Sequence, residues 1–109
     1  MSFRVRYTRG ARDDLKRLYA FLLDYDIETA ARALDAIRKA AELLCSFPFT
    51  CRKVDEANPF LRELVISFGG SGYVALFLIE GVEEDRPAPD AERYITILAV
   101  RHQREDDYH

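Results

Sequence analysis

The chain has 109 residues and a mass of 12.6 kDa, enough for one domain and too few for two. Apolar residues make up 49% and charged residues 32%, a balance that excludes wholesale disorder. A net charge of −3 and a pI near 5.4 count against a long run of nucleic-acid phosphate as the main partner. With 2 cysteines and 2 histidines there is little room for a disulfide scaffold or a zinc cluster, and no cofactor or metal is expected.

The N-terminal stretch Phe3-Arg4-Val5-Arg6-Tyr7 has no long apolar segment of the kind a secretory signal needs. The longest apolar run, Tyr73 to Ile79, is the length of a strand and not of a membrane helix. A soluble, cytoplasmic protein without a membrane partner is the expectation. Cys45 and Cys51 then read as reduced thiols that serve as small buried hydrophobes.

Phe3, Val5 and Tyr7 alternate with Arg4 and Arg6, the period of a strand with one buried face. Thr8 is placed to cap a helix starting near Arg9 or Gly10, with Asp13 and Asp14 early in it, where the macrodipole favours acids. Ala11, Leu15, Leu18, Leu22 and Tyr25 recur in steps of four and three and form one apolar stripe. Ala30, Leu34, Ile37, Ala41 and Leu44 form a second stripe after a short polar break. The two predict an antiparallel helical hairpin. Phe47-Pro48 ends it, because proline cannot continue the hydrogen-bond ladder.

Phe49 to Pro59 reads as an irregular polar connector. Phe60 to Ser67 reads as a strand, and Tyr73 to Glu80 as a central buried one. Between them Phe68-Gly69-Gly70-Ser71-Gly72 reads as a hairpin loop whose glycines supply positive φ. It is not a phosphate cradle, since it joins two strands and lacks a P-loop lysine. Gly81 to Glu92, acidic and with Pro87 and Pro89, reads as an exposed loop, and Tyr94 to Val100 as the last strand. The expected fold is α+β in the order β-α-α-β-β-β. An N-terminal strand joins the sheet of a three-stranded antiparallel meander.

Chemistry concentrates at the C-terminus, where Arg101, His102, Arg104 and Tyr108 follow a hydrophobic strand. A guanidinium pair, an imidazole and a phenol are the parts of a metal-free ribonuclease: a base for the 2′-hydroxyl, a cation for the phosphorane and an acid for the leaving oxygen. The same stretch also reads as a solvated charged tail, because Glu105, Asp106 and Asp107 outnumber the two arginines. On the residues alone, Arg62 and Glu63 read as a surface ion pair.

The element order resembles the RelE/ParE superfamily of bacterial type II toxins. So do Ala11-x-x-Asp14-Leu15, Arg62-Glu63-Leu64, the aromatic strand from Tyr73, and the ending Ile97-Leu98-Ala99-Val100-Arg101-His102-Gln103-Arg104. The resemblance implies a toxin silenced by a cognate, ParD-like antitoxin. It also implies one of two activities, because one fold carries both. RelE-like members cut mRNA in the ribosomal A site; ParE-like members poison DNA gyrase. The absence of Arg and Lys from Tyr73–Glu80, the acidic net charge and the matched helices favour the ParE-like branch. Gyrase is then the expected target, without sequence-specific nucleic-acid binding by the toxin alone. Arg101, His102 and Arg104 would be target contacts, and Leu18, Leu22, Tyr73 and Phe77 antitoxin contacts in a groove between hairpin and sheet. The spacing of His102, Arg104 and Tyr108 also fits the catalytic ending of RelE-like nucleases, which keeps that alternative open. An interaction module without toxicity is the third reading.

Overall fold

The structure is a computed structural model describing residues 3–82 and 92–104. The first strand, β1 (Arg4–Tyr7), leads directly into α1 (Arg9–Leu23). Thr8 makes the turn between them: its hydroxyl accepts the Ala11 N–H at 3.1 Å, satisfying one of the orphan donors of the first helical turn. α1 ends two residues short of the expected stripe, and Tyr25 lies beyond it, 75% exposed. Asp26 then caps α2 (Ile27–Leu43), accepting from the Glu28 and Thr29 amides and from the Thr29 hydroxyl. The hydrogen bond from Thr29, with the cap amides, holds the Asp26 carboxyl below its usual range. Ala30, Ala33, Ile37, Ala41 and Leu44 are buried, and the alanines let the two helices approach closely.

A short 3₁₀ turn at Pro48–Thr50 follows, and then a strand where an irregular connector is expected. This is β2 (Arg52–Asp55), which pairs antiparallel with β3 (Asn58–Phe68). All its residues are exposed, so no burial period marks it in the sequence. A tight turn at Glu56-Ala57 closes the pair, with Asp55 Oδ1 accepting the Ala57 N–H at 2.9 Å. Pro59 is tolerated because it stands at the beginning of β3.

Arg62, the centre of the Arg-Glu-Leu motif, is not half of a surface ion pair. It is 9% exposed and donates to the carbonyls of Pro59 (2.8 Å), Phe49 (2.9 Å) and Cys51 (2.8 Å), with its guanidinium over the Phe49 ring. It latches the connector onto the sheet. Glu63 instead pairs with Arg52 across the β2–β3 ladder at 3.0 Å.

β3 turns into β4 (Ser71–Glu80) through Gly69-Gly70, and β5 (Tyr94–His102) completes the sheet. Only Gly69 has positive φ in this turn, at 61°. Gly72 serves otherwise: a Cβ there would run into the Ile66 carbonyl. The sheet order is β1-β5-β4-β3-β2, with β1 parallel to β5 and the other pairs antiparallel. The helices cover one face. Between the layers lies the core, with Phe77, Ile95, Ile97 and Val100 at its centre and Leu18, Ile37 and Leu44 above them. The expected β-α-α-β-β-β order therefore holds, with one added edge strand. The acidic loop reading of Gly81 to Glu92 falls mostly outside the described residues.

Candidate functional site

The groove lies where α1 meets the β3–β4 turn and the end of β5. It has a volume of about 580 Å³ and is lined by Leu18, Phe21 and Leu22 from the helix, Phe68, Ser71 and Tyr73 from the hairpin, and His102 and Arg104 from the chain end, with Arg17 at the rim. Its floor is apolar and its rim basic.

A bulge in β5 decides which side chains reach this groove. Phe77 pairs with Ile97 and Leu76 with Ala99, so Leu98 is an extra residue. Before it Ile95 and Ile97 point into the core; after it Val100 does. His102 follows Val100 on that face and meets the Tyr73 ring edge-on, with centroids 5.6 Å apart. Without the bulge the alternation would send Arg101 to the groove and His102 to the other face. The structure therefore divides the Arg101, His102, Arg104 trio. His102 and Arg104 line the groove, whereas Arg101 sits in register with Val74 on the opposite face, its guanidinium donating to the His102 carbonyl at 3.3 Å. Tyr108, the remaining member of the nuclease reading, lies outside the described residues.

Two contacts fix the state of the imidazole. Nδ1 accepts the Arg104 backbone N–H at 3.1 Å, so it carries no hydrogen; Nε2 does, and lies 3.0 Å from Ser71 Oγ, to which it donates. The ring's one available lone pair is thus engaged in holding the turn that presents Arg104. Ser71 is bonded to the N–H side of the ring, which cannot remove its proton. The adjoining Tyr73 phenol is pushed above its usual range by burial and stays protonated at neutral pH.

Of the four side chains expected to face an antitoxin, Leu18, Leu22 and Tyr73 line the groove. Phe77 is 0% exposed and belongs to the core beneath. Its strand alternates Tyr73, Ala75, Phe77 and Ile79 onto the helix side, all four buried in the core, and of these Tyr73, near the hairpin end, also lines the groove. Arg17, Phe21, Phe68 and Ser71 join the site although the sequence pattern does not single them out. Phe21 had one signal, an aromatic next to the stripe, and it is 61% exposed. Cys45 and Cys51 are free thiols, both partly buried, and burial pushes the Cys51 thiol up. Among the described residues no cluster of His, Cys, Asp or Glu is placed to hold a metal, and no helix is long and apolar enough to cross a membrane.

This fold, a helical hairpin packed on one face of a mostly antiparallel five-stranded sheet, is similar to that of a chain in a solved structure described as "Chromosomal ParDE TA system from P. aeruginosa". The two superpose with a TM-score of 0.69 over 93% of this chain and 96% of that one, at 20% identity, which is a likeness of fold. The sequence itself carries the likeness further. The family described as "ParE toxin of type II toxin-antitoxin system, parDE" matches residues 5–107. Toxin RelE3 of Caulobacter vibrioides is 35% identical over 95 residues, covering 87% of this chain and 88% of that protein. Toxin RelE1 of the same organism is 33% identical over 81 residues, covering 74% and 84%. The chain belongs to the ParE toxin family of type II toxin–antitoxin systems, within the RelE/ParE superfamily.

Proposed function

We propose that this toxin acts by binding DNA gyrase in the cytoplasm, with Arg101, His102 and Arg104 among its target contacts. A cognate, ParD-like antitoxin neutralises it by filling the groove over Leu18, Leu22 and Tyr73. Phe77 supports that site from below and does not touch the partner. The observation that carries the binding reading is the imidazole of His102. A general base needs a free lone pair within reach of the proton it takes, and here that lone pair holds the Arg104 amide. Binding asks only for a shaped, charged surface, and the groove offers an apolar floor with Arg17 and Arg104 at its edge. An amphipathic segment with acidic residues on its polar face fits both.

The alternative is ribosome-dependent mRNA cleavage by His102, Arg104 and Tyr108. Its support is that His102 and Arg104 do converge on one groove. Two assays with purified toxin separate the readings. Gyrase supercoiling with detection of cleaved DNA complexes should respond to the toxin, and mRNA on A-site-programmed ribosomes should stay whole. Codon-specific cuts with gyrase unaffected would reverse the assignment, and a chain inert in both assays and harmless in cells would be an interaction module.

A further inference from the structure

We propose that Asp14 is the positioning residue of the groove: it holds the β5 bulge in place, and so determines that His102 rather than Arg101 faces Tyr73. The proposal rests on the reading above that the chain end carries the target contacts. Asp14 is not an acid set out to favour the helix macrodipole; it is 4% exposed. A carboxylate buried to that degree is tolerated only where its oxygens are bonded. Oδ2 accepts the Val100 N–H at 2.8 Å, and Oδ1 lies 3.8 Å from Arg17 on the groove rim.

The place of that bond along β5 gives it its effect. β1 pairs with β5 only as far as Ile97. Thr8 then takes the next two carbonyls, its N–H donating to Ile97 at 3.0 Å and its hydroxyl to Leu98 at 3.1 Å. Val100 presents the following N–H on that edge, and α1 answers it with Asp14. Thr8 and Asp14 therefore bracket Leu98, the extra residue. Thr8 holds this edge only as far as Leu98. Without Asp14 the segment past it is held on one side alone, by β4, and can slip by one residue so that the bulge is lost. Such a slip exchanges the faces of every residue beyond it. On this strand those residues are Arg101 and His102. The same carboxylate reaches Arg17, so floor and rim are referred to one side chain.

The test uses the full chain. Asp14→Asn keeps an acceptor for Val100, whereas Asp14→Ala removes it. In Asp14→Ala the Val100 amide should exchange roughly tenfold faster or more, the measure of one lost charge-assisted hydrogen bond. The NMR contact between the Tyr73 and His102 rings should disappear, and toxicity should fall by roughly tenfold. Asp14→Asn should keep the ring contact and restore toxicity to within about threefold of wild type. Ile37→Ala, destabilised in the core away from the groove, is the control. If Asp14→Ala keeps the ring contact, or loses no more toxicity than Ile37→Ala, the proposal is overturned. Should Asp14→Ala not accumulate, Asp14→Asn decides: a protected Val100 amide with an intact ring contact supports the assignment, and an unprotected amide overturns it. Loss of the ring contact in a toxin whose wild type cuts mRNA would leave the positioning role standing and sink the gyrase reading.

Discussion

Ser71 Oγ and His102 Nε2 lie 3.0 Å apart across the β4–β5 pair, while the other ring nitrogen accepts the Arg104 N–H. The imidazole thus works as a brace between the hairpin turn and the chain end. This arrangement makes a role in shape distinguishable from a role in proton transfer. Asparagine can accept an N–H two residues ahead through its side-chain oxygen, as in an Asx turn, but it cannot act as a base near neutrality. His102→Asn should therefore keep toxicity within about threefold of wild type, and His102→Ala should lose about fivefold, the equivalent of one hydrogen bond. An acid–base histidine would show roughly 10²–10⁴-fold losses in both. Growth inhibition after graded induction, with protein levels matched by blotting, reads the difference.

The β3–β4 turn offers a paired prediction on stability. A Cβ on Gly70 meets nothing within 4 Å, whereas one on Gly72 strikes the Ile66 carbonyl oxygen, part of the backbone. Gly70→Ala should fall within about 0.5 kcal/mol of wild type or gain slightly from a stiffer unfolded chain. Gly72→Ala should cost about 2 kcal/mol or more, because a ladder of paired strands must shift to admit the methyl group. It should also disturb the groove, since the Gly72 carbonyl accepts the Gln103 N–H at 2.9 Å. Urea unfolding of the two variants should show the contrast.

How far the sequence reveals these features depends on whether their cause is local. The hairpin was legible because Ala11, Leu18, Ala30, Ile37 and Ala41 repeat at helical spacing, and Thr8 caps the first helix through the Ala11 amide, close by in the chain. The Asp26 cap, by contrast, read only as a polar break. β2 was not legible: Arg52 to Asp55 bury nothing, and what makes them a strand is a partner on β3. The bulge was hidden too, since Ile95 to Val100 is apolar throughout save for Thr96, and such a run does not show which residues change face. Asp14 met its reason 86 residues away. His102 and Arg104 could be singled out by residue type, but their separation from Arg101 follows from Leu98, a side chain with no chemistry of its own.

On the open face of the sheet Arg6 makes a triangle with Thr96 and Glu80. Its Nε donates to the Thr96 hydroxyl at 2.9 Å, its Nη2 lies 3.2 Å from Glu80, and Thr96 donates a short hydrogen bond to the same carboxylate. The Thr96 hydrogen bond, followed by the Arg6 contacts, pulls the Glu80 carboxyl below its ordinary value of 4.5. A depressed carboxylate stabilises the fold above its unfolded value, and this contribution vanishes as the pH falls through the lower folded value. Glu80→Gln should thus be less stable than wild type at pH 7, and the gap should close as the pH falls below 4.5 through the lowered folded value. The side chains of Arg6 and Glu80 are 49% and 35% exposed, so screening keeps the difference below about 1 kcal/mol. Urea midpoints measured along that pH range test it, and a gap between the two proteins that does not close in acid would rule out this origin.

The last prediction concerns Phe21, which separates antitoxin binding from folding. Its ring is 61% exposed, touches the Tyr25 ring at 5.5 Å and forms one apolar wall of the groove. Side chains this exposed contribute little to the core, so Phe21→Ala should unfold within about 0.5 kcal/mol of wild type. An aromatic waiting at the wall of an apolar groove is, by contrast, the type of residue that dominates an interface once a partner buries it. The loss of affinity for the antitoxin should be about 1–3 kcal/mol, or roughly 5- to 150-fold. In cells the variant should stay toxic while antitoxin that fully rescues the wild type rescues it only at higher expression. Calorimetry on the purified pair gives the affinity directly. A variant as tightly neutralised as wild type would place the antitoxin elsewhere on the molecule, and one that loses toxicity together with antitoxin binding would put target and antitoxin on the same wall.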